Sequence, residues 1–410
     1  MNTEQNKGSM LHIGSADLVR VSNSISIINK ILFSDIEEQF NKAFYLLNSK
    51  NLPETKENYL VFFECTQDYR NKNIFKFEAK QESHYQESIA LFSDVIKIKP
   101  KHALSYEFRG IAKTRILDDQ GAIDDLSIAI NMGSNNKDSY FFRGEARRMH
   151  LIDTKGAIDD FSKSLSYDPL HVEAYVSLGI VNEKLQGYTA AIEEYTKALD
   201  IDNQKYFAFY RRGYAHAQMG NYAEAILDYN RAIDINPNYN YYWDRAKARQ
   251  MQKDYMGAIA DFTKSLELSN ANKPTEYANY FGSGKSKFAM EDYEGAIADY
   301  TLAIQYAESH EVYIAKAKAL FKQKAYAEAI QDISKAMEFD HSQANDYCLR
   351  GYIHYVINEV ADAIQDYTKA IELNPDFLNP YYLRSIARKH IGDDAGASMD
   401  EDFFQKLKAN

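Results

Sequence analysis

The chain has 410 residues, of which 45% are apolar and 26% charged, with a formal net charge of −11. This apolar fraction excludes a wholly disordered chain, and the acidic balance argues against a dedicated nucleic-acid binder. Two cysteines, Cys65 and Cys348, are too few for a disulfide framework. With no signal-peptide core and no apolar run of membrane-spanning length, the composition predicts a cytoplasmic protein.

Residues 1–70 are predicted to form an N-terminal extension with a disordered start. The alternation in residues 18–28 predicts a small β-hairpin, and two helices follow, to about residues 48 and 69. An isolated hairpin is marginally stable. We therefore expect it to cover the open end of the following array, and a docking arm for a partner or a second copy is the alternative.

A regular repeat occupies residues 71–410. An isoleucine that follows a small residue recurs every 33 to 38 residues, and it stands at Ile89, Ile123, Ile158, Ile192, Ile226, Ile259, Ile297, Ile330 and Ile364. Apolar and small residues recur three and four apart around each isoleucine, which predicts two amphipathic helices per unit. Residues 71–81 are expected to form a helix that pairs with the helix containing Ile89. A repeat of this length predicts an all-α stack of helical hairpins.

The units resemble the tetratricopeptide repeat. If Gly110 is place eight of a 34-residue unit, small residues recur at place eight, aromatics at place four and alanines at place twenty in nine units. Place twenty-four is aromatic or apolar in eight units, and proline closes several units, at Pro100, Pro169, Pro237 and Pro375. The resemblance implies a right-handed superhelix of about ten hairpins with a concave groove. The last unit, residues 378–408, is predicted to be a C-terminal cap because Glu401 replaces an aromatic.

A second regularity is electrostatic. Place seven is arginine in six units, and place twenty-three is acidic in all nine. Antiparallel helices would bring these side chains together, so we predict a ladder of structural ion pairs.

Two insertions interrupt the repeat, and neither predicts catalysis. One extra residue lies between Gly144 and Ala157, and four lie near residues 269–274, where we expect a loop between units. Residues 282–286 read Gly-Ser-Gly-Lys-Ser, but Asn279 stands where a phosphate-binding loop needs glycine. No metal-ligand spacing or nucleophile motif is present, so the sequence predicts a non-enzymatic protein without metal or cofactor.

In the resembling family, ligands contact places two, five, nine and twelve of the first helix. Carried over, these places give aromatic residues beside three lysines in the middle and later units: Tyr210, Tyr214, Trp243, Lys247, Phe281, Lys285, Phe288, Lys318, Phe321, Tyr352 and Tyr355. Earlier units carry charged residues there, among them Glu107, Glu145 and Arg148. Packing between hairpins is the alternative role for the aromatics.

The main functional hypothesis is a bacterial, cytoplasmic scaffold that binds a protein or peptide segment in this groove. One alternative is a regulatory sensor of a peptide or small ligand, with residues 1–70 as the output. Single-stranded RNA binding along the lysines and aromatics is a third. The sequence does not name the partner.

Overall fold

A computed structural model describes residues 75–149, 153–269 and 273–409. These residues contain nineteen helices and no strand: α1 Phe75–Ile98, α2 Ala103–Arg115, α3 Asp119–Asn131, α4 Lys137–Met149, α5 Thr154–Tyr167, α6 Val172–Lys184, α7 Tyr188–Ile201, α8 Tyr206–Gln218, α9 Tyr222–Ile235, α10 Tyr239–Met251, α11 Tyr255–Leu268, α12 Lys273–Ala289, α13 Tyr293–Tyr306, α14 His310–Lys322, α15 Tyr326–Phe339, α16 Ala344–Val356, α17 Val360–Leu373, α18 Leu378–His390 and α19 Asp394–Ala409. The predicted all-α fold is confirmed. The extension 1–70, with its β-hairpin at 18–28, lies outside the described residues.

The helices from α2 onward pair into nine hairpins, and the chain divides into two compact units. Unit 1 ends at Asn203 and contains α1–α7, while unit 2 begins at Gln204 and contains α8–α19. Within each unit, the second helix of a hairpin contacts the first helix of the next hairpin. Each unit is therefore a stack in which contacts are local along the chain.

The prediction of a separate helix at residues 71–81 was wrong. α1 runs without a break from Phe75 to Ile98. The segment contains neither glycine nor proline, so nothing in it ends a helix between the expected pair.

Small residues allow the two helices of each hairpin to approach closely. All nine alanines at place twenty are fully buried: Ala122, Ala157, Ala191, Ala225, Ala258, Ala296, Ala329, Ala363 and Ala397. A Cβ on Gly179 would stand 2.4 Å from the ring of Tyr195, which is itself fully buried. The place-eight glycine is thus a packing requirement of the hairpin.

The predicted ladder of ion pairs is present in six hairpins. In each, the arginine Nε and Nη2 donate to the two carboxylate oxygens of the place-twenty-three aspartate over 2.6–2.9 Å. The pairs are Arg109–Asp125, Arg143–Asp160, Arg212–Asp228, Arg245–Asp261, Arg350–Asp366 and Arg384–Asp400. The aspartates are almost completely buried, so each pair is part of the hairpin core.

The four-residue insertion near residues 269–274 was predicted to form a loop, but most of it is helical. α12 has 17 residues, whereas the first helices of the other eight hairpins have 13, so most of the insertion adds one turn to this helix. Pro274 lies in the first turn, where its missing N–H leaves no helical hydrogen bond unmade. The extra residue between Gly144 and Ala157 belongs to a segment whose residues 150–152 lie outside the described ranges.

The glycine-rich segment 282–286 is helical, inside α12. A Cβ on Gly282 would stand 2.4 Å from Phe262 Cζ, and a Cβ on Gly284 would stand 2.6 Å from Tyr300 Cε1. These glycines therefore serve helix packing.

Candidate functional site

The eleven residues of the predicted groove all lie on first helices of unit 2, from α8 to α16. First helices of successive hairpins contact each other at α8–α10, α10–α12, α12–α14 and α16–α18, so they share one side of the stack. We call the surface formed by the first helices of unit 2 the first-helix face. Lys247, Lys285, Lys318 and Tyr352 are exposed there, and the other seven predicted residues are half-buried.

Two of the lysines stand directly over aromatic rings. Lys247 Nζ lies 4.2 Å from the ring centroid of Trp243, and Lys285 Nζ lies 5.2 Å from that of Phe281. A spacing of four residues places each ammonium group one helical turn above its ring. Cation–π attraction then favours an ammonium position over the aromatic surface.

Trp243 is half-buried and packs against a small core of Ala246, Ala258 and Phe262. The core holds one part of the indole while another part remains accessible. A ring anchored in this way loses little side-chain entropy when a ligand binds.

Several predicted aromatics also have packing roles. Phe321 contacts Tyr352 of the next hairpin, with ring centroids 5.7 Å apart, and Tyr355 contacts His390 at 5.8 Å. Phe288 contacts Tyr293 within its own hairpin at 5.4 Å. Half-buried rings of this kind can support a ligand surface only through their exposed edges.

Tyr210 is the predicted residue with the most internal bonding. Its hydroxyl donates to Asp244 Oδ2 over 2.9 Å, and its ring lies 4.4 Å from that of Tyr241. Burial raises the pKa of Tyr210 well above its ordinary value and also raises the pKa of Asp244. This hydrogen bond joins two neighbouring hairpins, so Tyr210 mainly packs beneath the first-helix face.

Two charged residues on this side were missed by the sequence reading. Arg211 lies over the rings of Tyr214 and Phe207, at 5.5 and 6.0 Å from their centroids. Arg211 and Asp244 both occupy place six, next to the predicted place five. The sequence signal that could have found them is a charged residue directly after the place-five aromatic in two successive units.

The later place-five residues differ among themselves. Ile314 and Cys348 are buried, whereas Tyr382 is 50% exposed. Burial raises the pKa of the Cys348 thiol to about 11, which keeps it protonated at neutral pH and disfavours nucleophilic chemistry.

The corresponding charged residues of unit 1 are engaged internally. Arg148 donates to both carboxylate oxygens of Glu145 over 3.1 and 2.9 Å, and Tyr195 donates to Glu183 over 2.7 Å. Glu107 accepts from Asn136 over 2.9 Å. All three glutamates are buried. Exposed lysines over aromatic rings thus distinguish the first helices of unit 2 from these charges of unit 1.

The turn between α16 and α17 brings His354, Glu359 and Asp362 together, although the sequence showed no ligand spacing there. One ligand atom from each lies within 4.8 Å of the others, and His354 Nδ1 is 2.6 Å from Glu359 Oε2. Arg147, Arg249 and Arg388 occupy the place of His354 in other hairpins and pair there with aspartates. By this equivalence the group is a structural charge cluster of the hairpin turn.

These features define a helical-repeat protein with a lysine and aromatic surface on one side of its second unit. Models described as tetratricopeptide repeat match residues 206–239 and 344–377, and 153–206 and 281–343. The chain is a tetratricopeptide repeat protein. Among the described residues, no helix combines the length and the apolar character needed to cross a bilayer.

Several solved structures are similar to this chain. The C-terminal part of a TPR protein from Cytophaga hutchinsonii is 18% identical, with a TM-score of 0.48 over 57% of this chain and 97% of that one. A TPR protein from Parabacteroides merdae is 21% identical, with a TM-score of 0.41 over 64% and 98%. YrrB, described as a TPR protein with an unusual peptide-binding site, is 17% identical, with a TM-score of 0.39 over 46% and 96%.

Proposed function

We propose that the chain is a non-enzymatic scaffold that binds a protein or peptide segment on the first-helix face of unit 2. The observation that carries the proposal is the exposed row of Lys247, Lys285 and Lys318 beside half-buried Trp243 and Phe281. Anchored aromatic rings with cationic neighbours have the composition of interaction hot spots. On composition alone, we place this activity in the cytoplasm.

The test combines Trp243→Ala with Lys285→Glu. We expect the double variant to lose the partner that the wild-type protein captures from native cell extract, because it removes one anchor and reverses one charge. The far-UV circular dichroism spectrum should be unchanged, since Lys285 is exposed and the half-buried Trp243 packs only against a small core, so both helices keep their other packing contacts.

The matched control is Met256→Ala with Lys264→Glu. Both residues are exposed and lie on α11, the second helix of the hairpin that contains Trp243. This variant should capture the partner as the wild type does. Capture by both variants alike would contradict a role for the first-helix face.

Single-stranded RNA binding remains a second candidate, because bases stack on aromatic rings beside cations. It predicts affinity for an RNA oligonucleotide that falls steeply with salt concentration. A protein segment held mainly by aromatic anchors should show a shallower dependence.

A further inference from the structure

The turn between α16 and α17 differs in charge from the equivalent turns of the other hairpins. Among the nine described hairpins, place sixteen is acidic in six: Asp118, Asp153, Asp254, Asp292, Glu359 and Asp393. Five of these six have lysine or arginine at place eleven and glycine at place nineteen. The sixth, formed by α16 and α17, has His354 at place eleven and a second acid, Asp362, at place nineteen. Two acids therefore share this turn without a permanent cation.

In the five equivalent turns, the place-eleven cation binds the buried aspartate of the hairpin. Its nitrogen lies 2.7–3.0 Å from Oδ2 of the place-twenty-three residue, in the pairs Lys113–Asp125, Arg147–Asp160, Arg249–Asp261, Lys287–Asp299 and Arg388–Asp400. His354 Nε2, in contrast, is 3.9 Å from Asp366 Oδ2, which is too far for a hydrogen bond. Histidine also differs from lysine and arginine in that its neutral form can bind a metal ion.

The carboxylates of Glu359 and Asp362 have no cationic side chain to balance them. Neither has a lysine or arginine nitrogen within 4.0 Å among the described residues. The nearby guanidinium of Arg350 is bound by Asp366, which accepts from it with both oxygens. With a neutral imidazole, the turn has an excess charge of about two negative units, which one divalent cation would neutralise.

The three side chains have the donor types and the spacing of a metal site. One ligand atom from each of His354, Glu359 and Asp362 lies within 4.8 Å of the others, and His354 Nδ1 is 2.6 Å from Glu359 Oε2. Ligand atoms at about 2.0–2.1 Å from a tetrahedral Zn²⁺ are about 3.3 Å apart. Because Glu359 and Asp362 are exposed, rotation of their side chains can bring the three atoms to this spacing.

The opposite nitrogen of the imidazole faces a fixed carboxylate. His354 Nε2 points toward Asp366, which is 5% exposed and held by Arg350. A carboxylate on the far side of the ring is typical of metal-bound histidine, because it orients the imidazole and leaves the other nitrogen free to bind the ion.

A cavity beside the cluster gives space for the remaining ligands of an ion. It has a volume of about 520 Å³, and its lining includes His354, Asp362, Asp366 and Thr368. Water molecules in this cavity can complete the coordination shell. A nitrogen ligand together with two carboxylates favours Zn²⁺ over Ca²⁺ and Mg²⁺, which prefer oxygen ligands throughout.

We propose that the turn between α16 and α17 binds one Zn²⁺ ion through His354 Nδ1 and the carboxylates of Glu359 and Asp362. The ion takes the structural place that a lysine or arginine side chain has in five other turns, and it ties the end of α16 to the start of α17. This role is separate from partner binding, so the inference does not depend on the proposed function.

The test is titration calorimetry of the full chain with zinc sulfate, after chelator treatment and dialysis, together with a thermal melt. We expect one Zn²⁺ per chain and a higher melting temperature, because an ion that binds only the folded protein stabilises it. His354→Arg recreates the residue of the equivalent turns, so it should stay folded and lose both the bound ion and the zinc-dependent rise in melting temperature.

A second variant keeps the test independent of the first. Glu359→Gln removes one charge from a side chain that makes no capping hydrogen bond to α17, and it should weaken Zn²⁺ binding at least about tenfold. The matched control is His216→Arg, the same substitution at place eleven of the hairpin formed by α8 and α9, where place sixteen is Asn221. This control should bind Zn²⁺ as the wild type does.

Four results would overturn the inference. Absence of Zn²⁺ binding by the wild type would reject the site outright. Unchanged binding in His354→Arg, or loss of binding in His216→Arg, would place the ion elsewhere on the chain. Tighter binding of Ca²⁺ or Mg²⁺ than of Zn²⁺ would exclude the imidazole as a ligand.

Discussion

At the residue scale, one arginine side chain joins neighbouring hairpins. Arg350 donates through Nε and Nη2 to Asp366 of its own hairpin and through Nη1 to Ser334 of the preceding one, over 3.0 Å. Arg384 makes the equivalent contact with Thr368 over 2.9 Å. The planar guanidinium can donate hydrogen bonds to both hairpins at once. A lysine ammonium, with one point charge, does this less well.

The hairpin formed by α14 and α15 shows how a lysine at this place differs from an arginine. Lys316 replaces the arginine. Its ammonium forms an ion pair with Asp332 Oδ2 at 3.2 Å and donates one long hydrogen bond of 3.4 Å to Oδ1, but Oδ2 accepts no hydrogen bond. Burial raises the pKa of Asp332, which means that the folded state favours its protonated form. The stability that Asp332 contributes in this way is present below its unfolded pKa of 3.8 and is lost as pH rises through the higher folded pKa.

We therefore predict that Lys316→Arg stabilises the protein by about 1 kcal/mol at pH 7, because it supplies the second hydrogen bond to an ionised carboxylate. The gain should shrink as Asp332 becomes protonated near pH 3. Urea unfolding at both pH values measures it. Arg350→Lys is the reverse replacement in the next hairpin and should destabilise the protein. An unchanged or lower urea midpoint for Lys316→Arg at pH 7 would argue against the second hydrogen bond.

At the element scale, the hairpin is defined by its turn and its internal ion pair. The turn residue at place fifteen has a left-handed backbone in eight hairpins, and only two of the eight residues are glycine: Leu117, Gln186, Gly220, Lys253, Glu291, Lys324, Asn358 and Gly392. Five second helices begin with an aspartate that accepts from the N–H of a glycine three residues later, as Asp254 does from Gly257 over 3.0 Å. The geometry of the turn is therefore held by caps and packing more than by backbone preference.

For the hairpin of α8 and α9, we predict that Asp228→Ala lowers stability by about 2 kcal/mol. The change leaves the guanidinium of Arg212, with a side chain only 20% exposed, without its paired carboxylate. Thermal unfolding measures the loss, and partner capture should be unaffected because Asp228 is buried on α9.

The control for that variant is Glu224→Ala, which removes an exposed acid from the same helix and should shift the melting temperature little. If partner capture fell in Asp228→Ala while the melting temperature held, the pair would have a binding role instead of a structural one.

At the scale of the whole molecule, stability is a sum of hairpins and the interfaces between neighbours. Elements contact those next to them in sequence, and the chain divides at Asn203 and Gln204. In such a stack, a destabilising substitution lowers the stability of its own hairpin and of the neighbours that contact it.

We accordingly predict a local response to Asp160→Ala in unit 1. The residue is 3% exposed and accepts from both Arg143 and Arg147, so its loss leaves two partly buried guanidinium groups without this carboxylate. Native-state hydrogen exchange should show lost protection in α4–α7 and unchanged protection in α12–α19. An equal loss of protection along the described helices would mean that the protein unfolds as one cooperative block.

The sequence specified much of this fold because the repeat is a strong periodic signal. Places seven and twenty-three predicted the six arginine–aspartate pairs, and the small residues predicted the close hairpins. Local pattern was weaker at irregular points. The repeat suggested a break within α1 that no glycine or proline enforces, the insertion near residues 269–274 mostly lengthens α12, and the cluster of His354, Glu359 and Asp362 depends on which residues the turn brings together. For the candidate face, the sequence predicted which residues lie on first helices, while their exposure came from the structure.

By itself, then, the sequence determined the class of fold, the hairpin as its unit and the pairing of arginine with aspartate, because each depends on spacing along one or two adjacent helices. Only the tertiary structure decided that Tyr210 and Ile314 serve packing while Lys247, Lys285 and Lys318 remain exposed. The physical reason is that exposure depends on the neighbouring hairpin: the same place in the repeat is covered or open according to the side chains that pack against it.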